Sequence, residues 1–91
     1  MNTVTTDVTI INELGLHARA AALFVKTASK YRSEIILSKG SLTANGKSIM
    51  GVMMLAAPKG SVITLKCTGD DAEDAINELK VLIENRFGED R

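Results

Sequence analysis

The chain has 91 residues, 11 basic and 11 acidic side chains with a formal net charge of zero, 45% apolar residues and 3% aromatic residues. This length predicts a single domain, residues 1–91, with a core built from aliphatic side chains. The balanced charge and the scarcity of aromatic rings argue against a nucleic-acid-binding protein, and no apolar run is long enough for membrane insertion.

The first predicted element is a strand over residues 3–11. Val4, Val8 and Ile10 lie two or four positions apart with polar residues between them, which is a strand-like period. Residues 1–7 lack the basic region and the long apolar stretch of a signal peptide, so we expect a cytoplasmic protein.

A helix is predicted over residues 18–30. Alanine dominates the start of this stretch, and the Leu, Lys and Arg residues within it cost little helical propensity. Its apolar face is predicted to use Ala21, Phe24, Val25, Ala28 and Tyr31.

The only histidine, His17, falls where the strand gives way to the helix, with Gly15 as a flexible backbone point just before it. The backbone N–H groups of Ala18 and Arg19 are expected in the first helical turn, where such groups lack intrahelical partners and bind phosphate readily. The same positive helix end favours a neutral, nucleophilic imidazole. Arg19 can donate a forked pair of hydrogen bonds to phosphate oxygens. We therefore predict that His17 is a phosphoryl acceptor.

A plainer interpretation of His17 is a capping or partly exposed residue, which is the commoner role of a lone histidine at a helix start. Arg19 argues against it, because a cation in the first turn is unfavourable with the helix dipole. That misfit favours an anionic ligand.

The segment Gly15-Leu16-His17-Ala18-Arg19-Ala20-Ala21 closely resembles the Gly-Leu-His-Ala-Arg-Pro-Ala signature of the HPr family, the histidine-containing phosphocarriers of the phosphoenolpyruvate-dependent sugar phosphotransferase system. The resemblance implies that His17 accepts phosphate on Nδ1 from enzyme I and passes it to IIA proteins or domains. Ala20 stands where the family usually has proline, and it restores one backbone donor in the first turn.

Two short strands follow, predicted over residues 33–38 and 41–44. Lys39-Gly40 and Asn45-Gly46 are turn signals after the first and the second strand. The two strands are therefore expected to form a hairpin.

A short helix is predicted between Ser48, a good N-cap residue, and Pro58, which stops it. Its residues present two apolar faces, one with Ile49, Val52 and Met53 and the other with Met50 and Met54. Methionines in this pattern are typical of an adaptable docking surface, and gap-filling core residues are an equally good interpretation.

The segment Asn45-Gly46-Lys47-Ser48-Ile49-Met50-Gly51-Val52 resembles the second HPr signature, which surrounds a regulatory serine. The resemblance implies that Ser48 is a target of HPr kinase/phosphorylase and that Ile49, Met50 and Met53 line a partner surface beside His17. The alternative for Ser48 is a plain N-cap.

The last strand is predicted over residues 61–68, because Ile63, Leu65 and Cys67 alternate with polar residues. Cys67 is interpreted as a small buried strand residue. It is the only cysteine, so no intrachain disulfide can form, as is usual in a reducing compartment.

The final helix is predicted to begin with a capping box formed by Asp70 and Glu73 and to extend to about Phe87. Gly88 is expected to end the helix, and residues 89–91 are expected to form a solvated tail. The apolar positions with helical spacing are Ala72, Ala75, Ile76, Leu79, Leu82 and Ile83.

The order of elements, βαββαβα, predicts an α+β fold, an open-faced sandwich whose four-stranded antiparallel sheet is covered on one face by three helices. The HPr fold has this arrangement. We expect a monomeric phosphocarrier that needs no cofactor or metal and is not an independent turnover enzyme. The alternatives are a noncatalytic regulatory module switched by phosphorylation of Ser48, a carrier in a nitrogen-related phosphorelay, and a domain that binds a small ligand or RNA.

Overall fold

Four strands and three helices follow one another along residues 2–91, the part of the chain that the computed structural model describes. In chain order they are β1 (Thr3–Thr9), α1 (Ala18–Ala28), β2 (Glu34–Lys39), β3 (Leu42–Asn45), α2 (Ile49–Met54), β4 (Val62–Thr68) and α3 (Ala72–Glu84). The order is the predicted one, and each element lies within a few residues of its predicted bounds.

The strands form one antiparallel sheet in the order β1-β4-β2-β3. Leu37 in β2 pairs with Leu65 in β4 and with Ala44 in β3, and Val8 in β1 pairs with Ile63 in β4. All five of these side chains are buried. The predicted open-faced α+β sandwich is confirmed.

The core lies between the inner face of this sheet and the helices. Phe24 of α1 and Leu79 of α3 are fully buried there, and α1 also packs against α2. Cys67 of β4 is buried as predicted, and burial, helped by the charge of Asp71, raises the pKa of its thiol to about 11. Within residues 2–91, no helix has both the length and the apolar character needed to cross a bilayer.

Helix α1 ends at Ala28, two residues before its predicted end. The backbone N–H groups of Lys30 and Tyr31 donate to the carbonyls of Thr27 and Ala28, which lie three residues back. The chain therefore tightens into turns that close over three residues after Ala28.

The capping box predicted for α3 is wrong. The N-cap is Asp71 and not Asp70, and its side chain makes no cap hydrogen bond. Its carboxylate instead accepts hydrogen bonds from the backbone N–H groups of Arg32 (2.8 Å) and Ser33 (3.0 Å) and from the Ser33 hydroxyl. Asp71 therefore joins the start of α3 to the segment that leads into β2.

The predicted C-terminal boundary is also wrong, because α3 ends at Glu84 and a tight turn follows over Arg86–Gly88. Arg86 and Phe87 adopt left-handed φ angles of 56° and 54°, which are costly for residues with a Cβ atom. Phe87 is buried, and Arg91 O accepts a hydrogen bond from Glu13 N at 3.1 Å. The last residues therefore return to the loop between β1 and α1.

Candidate functional site

His17 is the N-cap residue of α1, where the sequence predicts it. Its backbone is extended, with φ −73° and ψ 177°, and its side chain makes no capping hydrogen bond. Most N-cap side chains satisfy an N–H group of their own helix. The His17 ring does not, so it is free to serve another purpose.

The first turn of α1 offers backbone N–H groups to a ligand. The first intrahelical bond runs from Ala21 N to His17 O at 2.8 Å, and the N–H groups of Ala18, Arg19 and Ala20 have no partner within residues 2–91. Ala18 and Arg19 are exposed, and no acidic residue occupies the first turn. The end of the helix is therefore electropositive and open to an anion beside His17.

Gly15 gives the loop before His17 its shape. Its φ angle is +67°, and a Cβ atom at this position would collide with the backbone of Ala57 and Pro58. Leu16 N donates to Ala57 O at 2.9 Å, so the loop is fastened to the segment that follows α2. The predicted role of Gly15 at the strand–helix junction is confirmed, with close packing as an additional reason for glycine.

The Nε2 atom of His17 contacts a carboxylate oxygen of Glu89. The His17 side chain is 27% exposed and the Glu89 side chain only 14%. The carboxylate is therefore mostly shielded from solvent, whereas part of the His17 ring remains accessible. The predicted solvated tail is therefore wrong for Glu89. The sequence around Glu89 does not predict this contact, because the contact depends on the turn at Arg86–Gly88, which places Glu89 next to a residue distant in the sequence.

The surroundings of Glu89 keep it ionised. Burial raises the pKa of its carboxyl, but hydrogen bonds from His17 and Asn12 and the positive charge of Arg19 outweigh burial and bring the pKa below its ordinary value. Asn12 Nδ2 donates to Glu89 Oε1 at 2.9 Å, and Arg19 Nη1 lies 3.2 Å from Glu89 Oε2. A negative charge thus faces one nitrogen of the His17 ring.

This geometry distinguishes the two ring nitrogens of His17. Nε2 faces a carboxylate, which accepts hydrogen bonds only, and Nδ1 has no hydrogen-bond partner in the described part of the chain. The tautomer with the proton on Nε2 satisfies Glu89 and leaves the lone pair of Nδ1 available. The helix end was expected to favour a neutral ring. The contact with Glu89 favours Nε2 as the nitrogen that carries the proton of that neutral ring.

Arg19 lies in the first turn of α1 as predicted, and its side chain is 57% exposed. Its Nη1 atom donates to the carbonyl of Phe87 at 3.3 Å as well as to Glu89. The guanidinium is therefore held beside the His17 ring by contacts that are long and partly exposed, so little energy opposes its movement toward a ligand.

Ser48 is the N-cap of α2, and its Oγ atom accepts a hydrogen bond from Gly51 N at 3.1 Å. The N-cap prediction is confirmed. The two apolar faces of α2 differ in their environment, because Val52 is buried whereas Met50 is 71% exposed and Met54 75% exposed.

The methionines of α2 are therefore not gap-filling core residues. Ile49 and Met53 are also exposed, although less than Met50. Leu14, which lies outside α2, is also exposed and lines a shallow depression of about 240 Å³ together with His17 and Pro58. Apolar side chains thus face solvent both on α2 and beside the His17 ring, as in surfaces that bind other proteins.

No group of three or more His, Cys, Asp and Glu side chains in residues 2–91 is arranged to hold a metal ion. The site pairs His17 Nε2 with the Glu89 carboxylate at the N-terminus of α1.

The family described as PTS HPr component phosphorylation site matches residues 4–85. Phosphocarrier protein HPr of Neisseria meningitidis serogroup A is 52% identical over 91% of this chain and 93% of that protein, and its namesake of Cupriavidus necator is 51% identical over the same shares. The crystal structure of HPr-C-His from Thermoanaerobacter tengcongensis superposes with a TM-score of 0.90 at 50% identity over the whole of both chains. The match to the family ends before Glu89.

Proposed function

Because the chain belongs to the HPr family of phosphotransferase-system phosphocarriers, we propose that it accepts a phosphoryl group on Nδ1 of His17 from phosphorylated enzyme I and passes it to IIA proteins or domains. The observation that carries this proposal is the position of His17 at the N-cap of α1, next to first-turn N–H groups that lack a partner within residues 2–91. The carrier is one HPr-like domain, residues 1–91, acting as a monomer in sugar transport in the bacterial cytoplasm.

The chemistry is an in-line displacement at phosphorus. The lone pair of His17 Nδ1 forms the new N–P bond, and the bond to the donor histidine breaks with its electron pair returning to the donor nitrogen. The ring of His17 then carries the phosphoryl group on Nδ1 and a proton on Nε2, so it gains positive charge. Glu89, in contact with Nε2, stabilises that charge. Transfer to a IIA protein is the same step in reverse, with a second histidine as nucleophile.

The phosphoryl oxygens are received by the helix end and by Arg19. The backbone N–H groups of Ala18 and Arg19 donate hydrogen bonds to the equatorial oxygens, and the Arg19 guanidinium leaves Glu89 and Phe87 to pair with them. A helix end stabilises an anion by about 0.3–1 kcal/mol, and by up to ~2 kcal/mol when partly buried. Such a modest stabilisation suits a carrier, because the group must be released to the next protein.

Partners dock on the exposed apolar side chains of α2. Ile49, Met50 and Met53 supply flexible apolar contacts, and Leu14 continues the apolar surface beside His17. Methionine side chains repack easily, which allows one surface to fit enzyme I and several IIA proteins in turn.

Ser48 is the proposed regulatory site, phosphorylated by HPr kinase/phosphorylase. A phosphate there adds a charge of about −1.5 to −2 at the start of α2. The short helix end stabilises this charge locally, but the charge lies next to the apolar docking residues Ile49 and Met50. Phosphorylation is therefore expected to weaken binding to enzyme I by desolvation.

The test is to incubate the protein with phosphoenolpyruvate and enzyme I and to measure by mass spectrometry whether one acid-labile phosphate is added. The label is expected in the wild type and in Ser48→Ala and to be absent in His17→Ala. Labelling of His17→Ala to the wild-type level would show that another residue accepts the phosphate. Labelling in neither the wild type nor Ser48→Ala would favour the regulatory-module alternative.

The regulatory proposal is tested with Ser48→Asp, and Ser41→Asp is the matched control because Ser41 is exposed in the β2–β3 turn. Phosphoryl transfer from enzyme I is expected to slow in Ser48→Asp through a raised KM, and to be unchanged in Ser41→Asp. Equal kinetics in both variants would remove Ser48 from the control of docking.

A further inference from the structure

We infer that Asn12 is a positioning residue that acts through Glu89, holding the carboxylate against Nε2 of His17 so that Nδ1 is the unprotonated nitrogen. This inference rests on the proposed function, because it explains how the acceptor nitrogen is selected. Asn12 touches neither the His17 ring nor the phosphoryl group.

The side chain of Asn12 is fully buried in the loop between β1 and α1. Both of its amide protons are used: Nδ2 donates to Gly15 O at 2.9 Å and to Glu89 Oε1 at 2.9 Å. Its Oδ1 atom is buried and has no hydrogen-bond partner within residues 2–91. Turning the amide over would place that oxygen against the Gly15 carbonyl and the Glu89 carboxylate, so the orientation is settled.

An unpaired buried oxygen lowers the stability of the folded state, and an apolar side chain of similar size would avoid that cost. The property of Asn12 that an apolar residue could not supply is its pair of donors. One donor shapes the Gly15 turn before His17, and the other joins that turn to Glu89, 77 positions away in the sequence. The amide is therefore explained by the two hydrogen bonds that it donates, to Gly15 and to Glu89, rather than by packing.

Anchoring one oxygen of Glu89 fixes the direction of the other. With Oε1 held by Asn12, Oε2 faces His17 Nε2 and Arg19. A carboxylate in this position accepts a hydrogen bond from Nε2–H and orients the ring, as partners of histidine do in other sites. Without the anchor, Glu89 is free to rotate toward solvent, and the ring loses its preference for the tautomer with Nδ1 unprotonated.

The first test measures the tautomer of His17 by imidazole ¹⁵N NMR in the unphosphorylated protein. The wild type is expected to hold the proton on Nε2, and Asn12→Asp, which sets a second carboxylate against Glu89, is expected to move the population toward Nδ1–H. Asn77→Asp is the matched control, because Asn77 is exposed on α3 and its side chain makes no hydrogen bond in the described chain. Unchanged ¹⁵N shifts in a folded Asn12→Asp would overturn the inference.

A second variant, Asn12→Leu, separates positioning from folding. It removes both donors and also the orphaned oxygen, and thermal unfolding shows whether the variant folds. A folded variant is expected to show the same change of tautomer. A Leu variant with wild-type ¹⁵N shifts would overturn the inference as directly as the Asp variant.

The second test is a double-mutant cycle on phosphoryl transfer with Asn12→Leu and Glu89→Gln. Each single variant is expected to slow transfer from enzyme I about tenfold, which is the scale of losing a supporting contact. The double variant is expected to be no slower than Glu89→Gln alone, because Asn12 acts through Glu89. If the double variant is slowed by the product of the two single-variant factors, the two residues act independently and the inference is overturned. If the wild type accepts no phosphate, the proposed function fails, and the NMR measurement still decides the role of Asn12.

Discussion

The Glu89 carboxylate contacts Nε2 of His17 although 72 positions separate the two residues in the sequence. The contact places a negative charge behind the ring, on the side away from Nδ1. As a result, Nε2 of the N-cap histidine has a partner, whereas Nδ1 has none within residues 2–91.

Replacing Glu89 with glutamine is expected to slow phosphoryl transfer from enzyme I about tenfold, equivalent to ~1.4 kcal/mol in the activation barrier. Glutamine keeps the size of the side chain but removes the charge that balances the phosphorylated ring. Asp90→Asn is the matched control, because it removes the same charge from an exposed neighbour without a side-chain contact in the described residues. Single-turnover kinetics measure both, and equal rates would exclude Glu89 from the reaction.

Arg19→Ala is expected to slow transfer roughly a hundredfold, the usual effect of removing one donor to developing anionic charge. Stability should change by less than about 0.5 kcal/mol, because the contacts of Arg19 are partly exposed. Arg32→Ala serves as control, since its exposed side chain makes no hydrogen bond or ion pair within residues 2–91. A wild-type transfer rate in Arg19→Ala would remove this arginine from the mechanism.

Ser48→Ala is expected to cost about 1 kcal/mol of unfolding free energy, because the side chain caps α2 through Gly51 N. In a domain of this size that loss lowers Tm by about 4–8 °C. Ser41→Ala, in an exposed turn, should leave Tm unchanged. Thermal unfolding followed by circular dichroism makes the comparison, and a Ser48→Ala variant as stable as Ser41→Ala would contradict the cap.

Tyr31, the only tyrosine, reports on the junction between α1 and α3. A hydrogen bond from its hydroxyl to Glu78, together with burial and nearby acidic charge, raises its pKa from 10.0 to about 12. A raised pKa means that the folded state holds the proton more tightly. This contribution to stability is therefore present below pH 10 and is lost as the pH rises toward 12. Ultraviolet titration of Glu78→Gln should show the pKa falling back toward 10.0, and an unchanged titration would contradict the contact.

Local pattern predicted the fold well. Alternation in β4 placed Ile63, Leu65 and Cys67 on the buried face, and the change from period two to helical spacing placed the start of α1 directly after His17. These features depend on neighbours within a few positions, for which periodicity and capping preferences are informative.

Long-range contacts were not predictable in the same way. Asp70 and Asp71 are adjacent acids, and a local rule cannot choose between them, whereas the hydrogen bonds from Arg32 and Ser33 select Asp71. Glu89 reaches His17 only because Arg86 and Phe87 take left-handed conformations that residues other than glycine rarely adopt. The position of His17 at the start of α1 could therefore be predicted from the sequence, but its contact with the Glu89 carboxylate could not.

The most direct test of the account is to phosphorylate the ¹⁵N-labelled protein with phosphoenolpyruvate and enzyme I and to record long-range ¹H–¹⁵N spectra of the His17 ring. We predict that the phosphoryl group is bonded to Nδ1 and that Nε2 keeps its proton. A phosphoryl group on Nε2, or a His17 ring that stays unmodified while the protein gains phosphate elsewhere, would contradict the account.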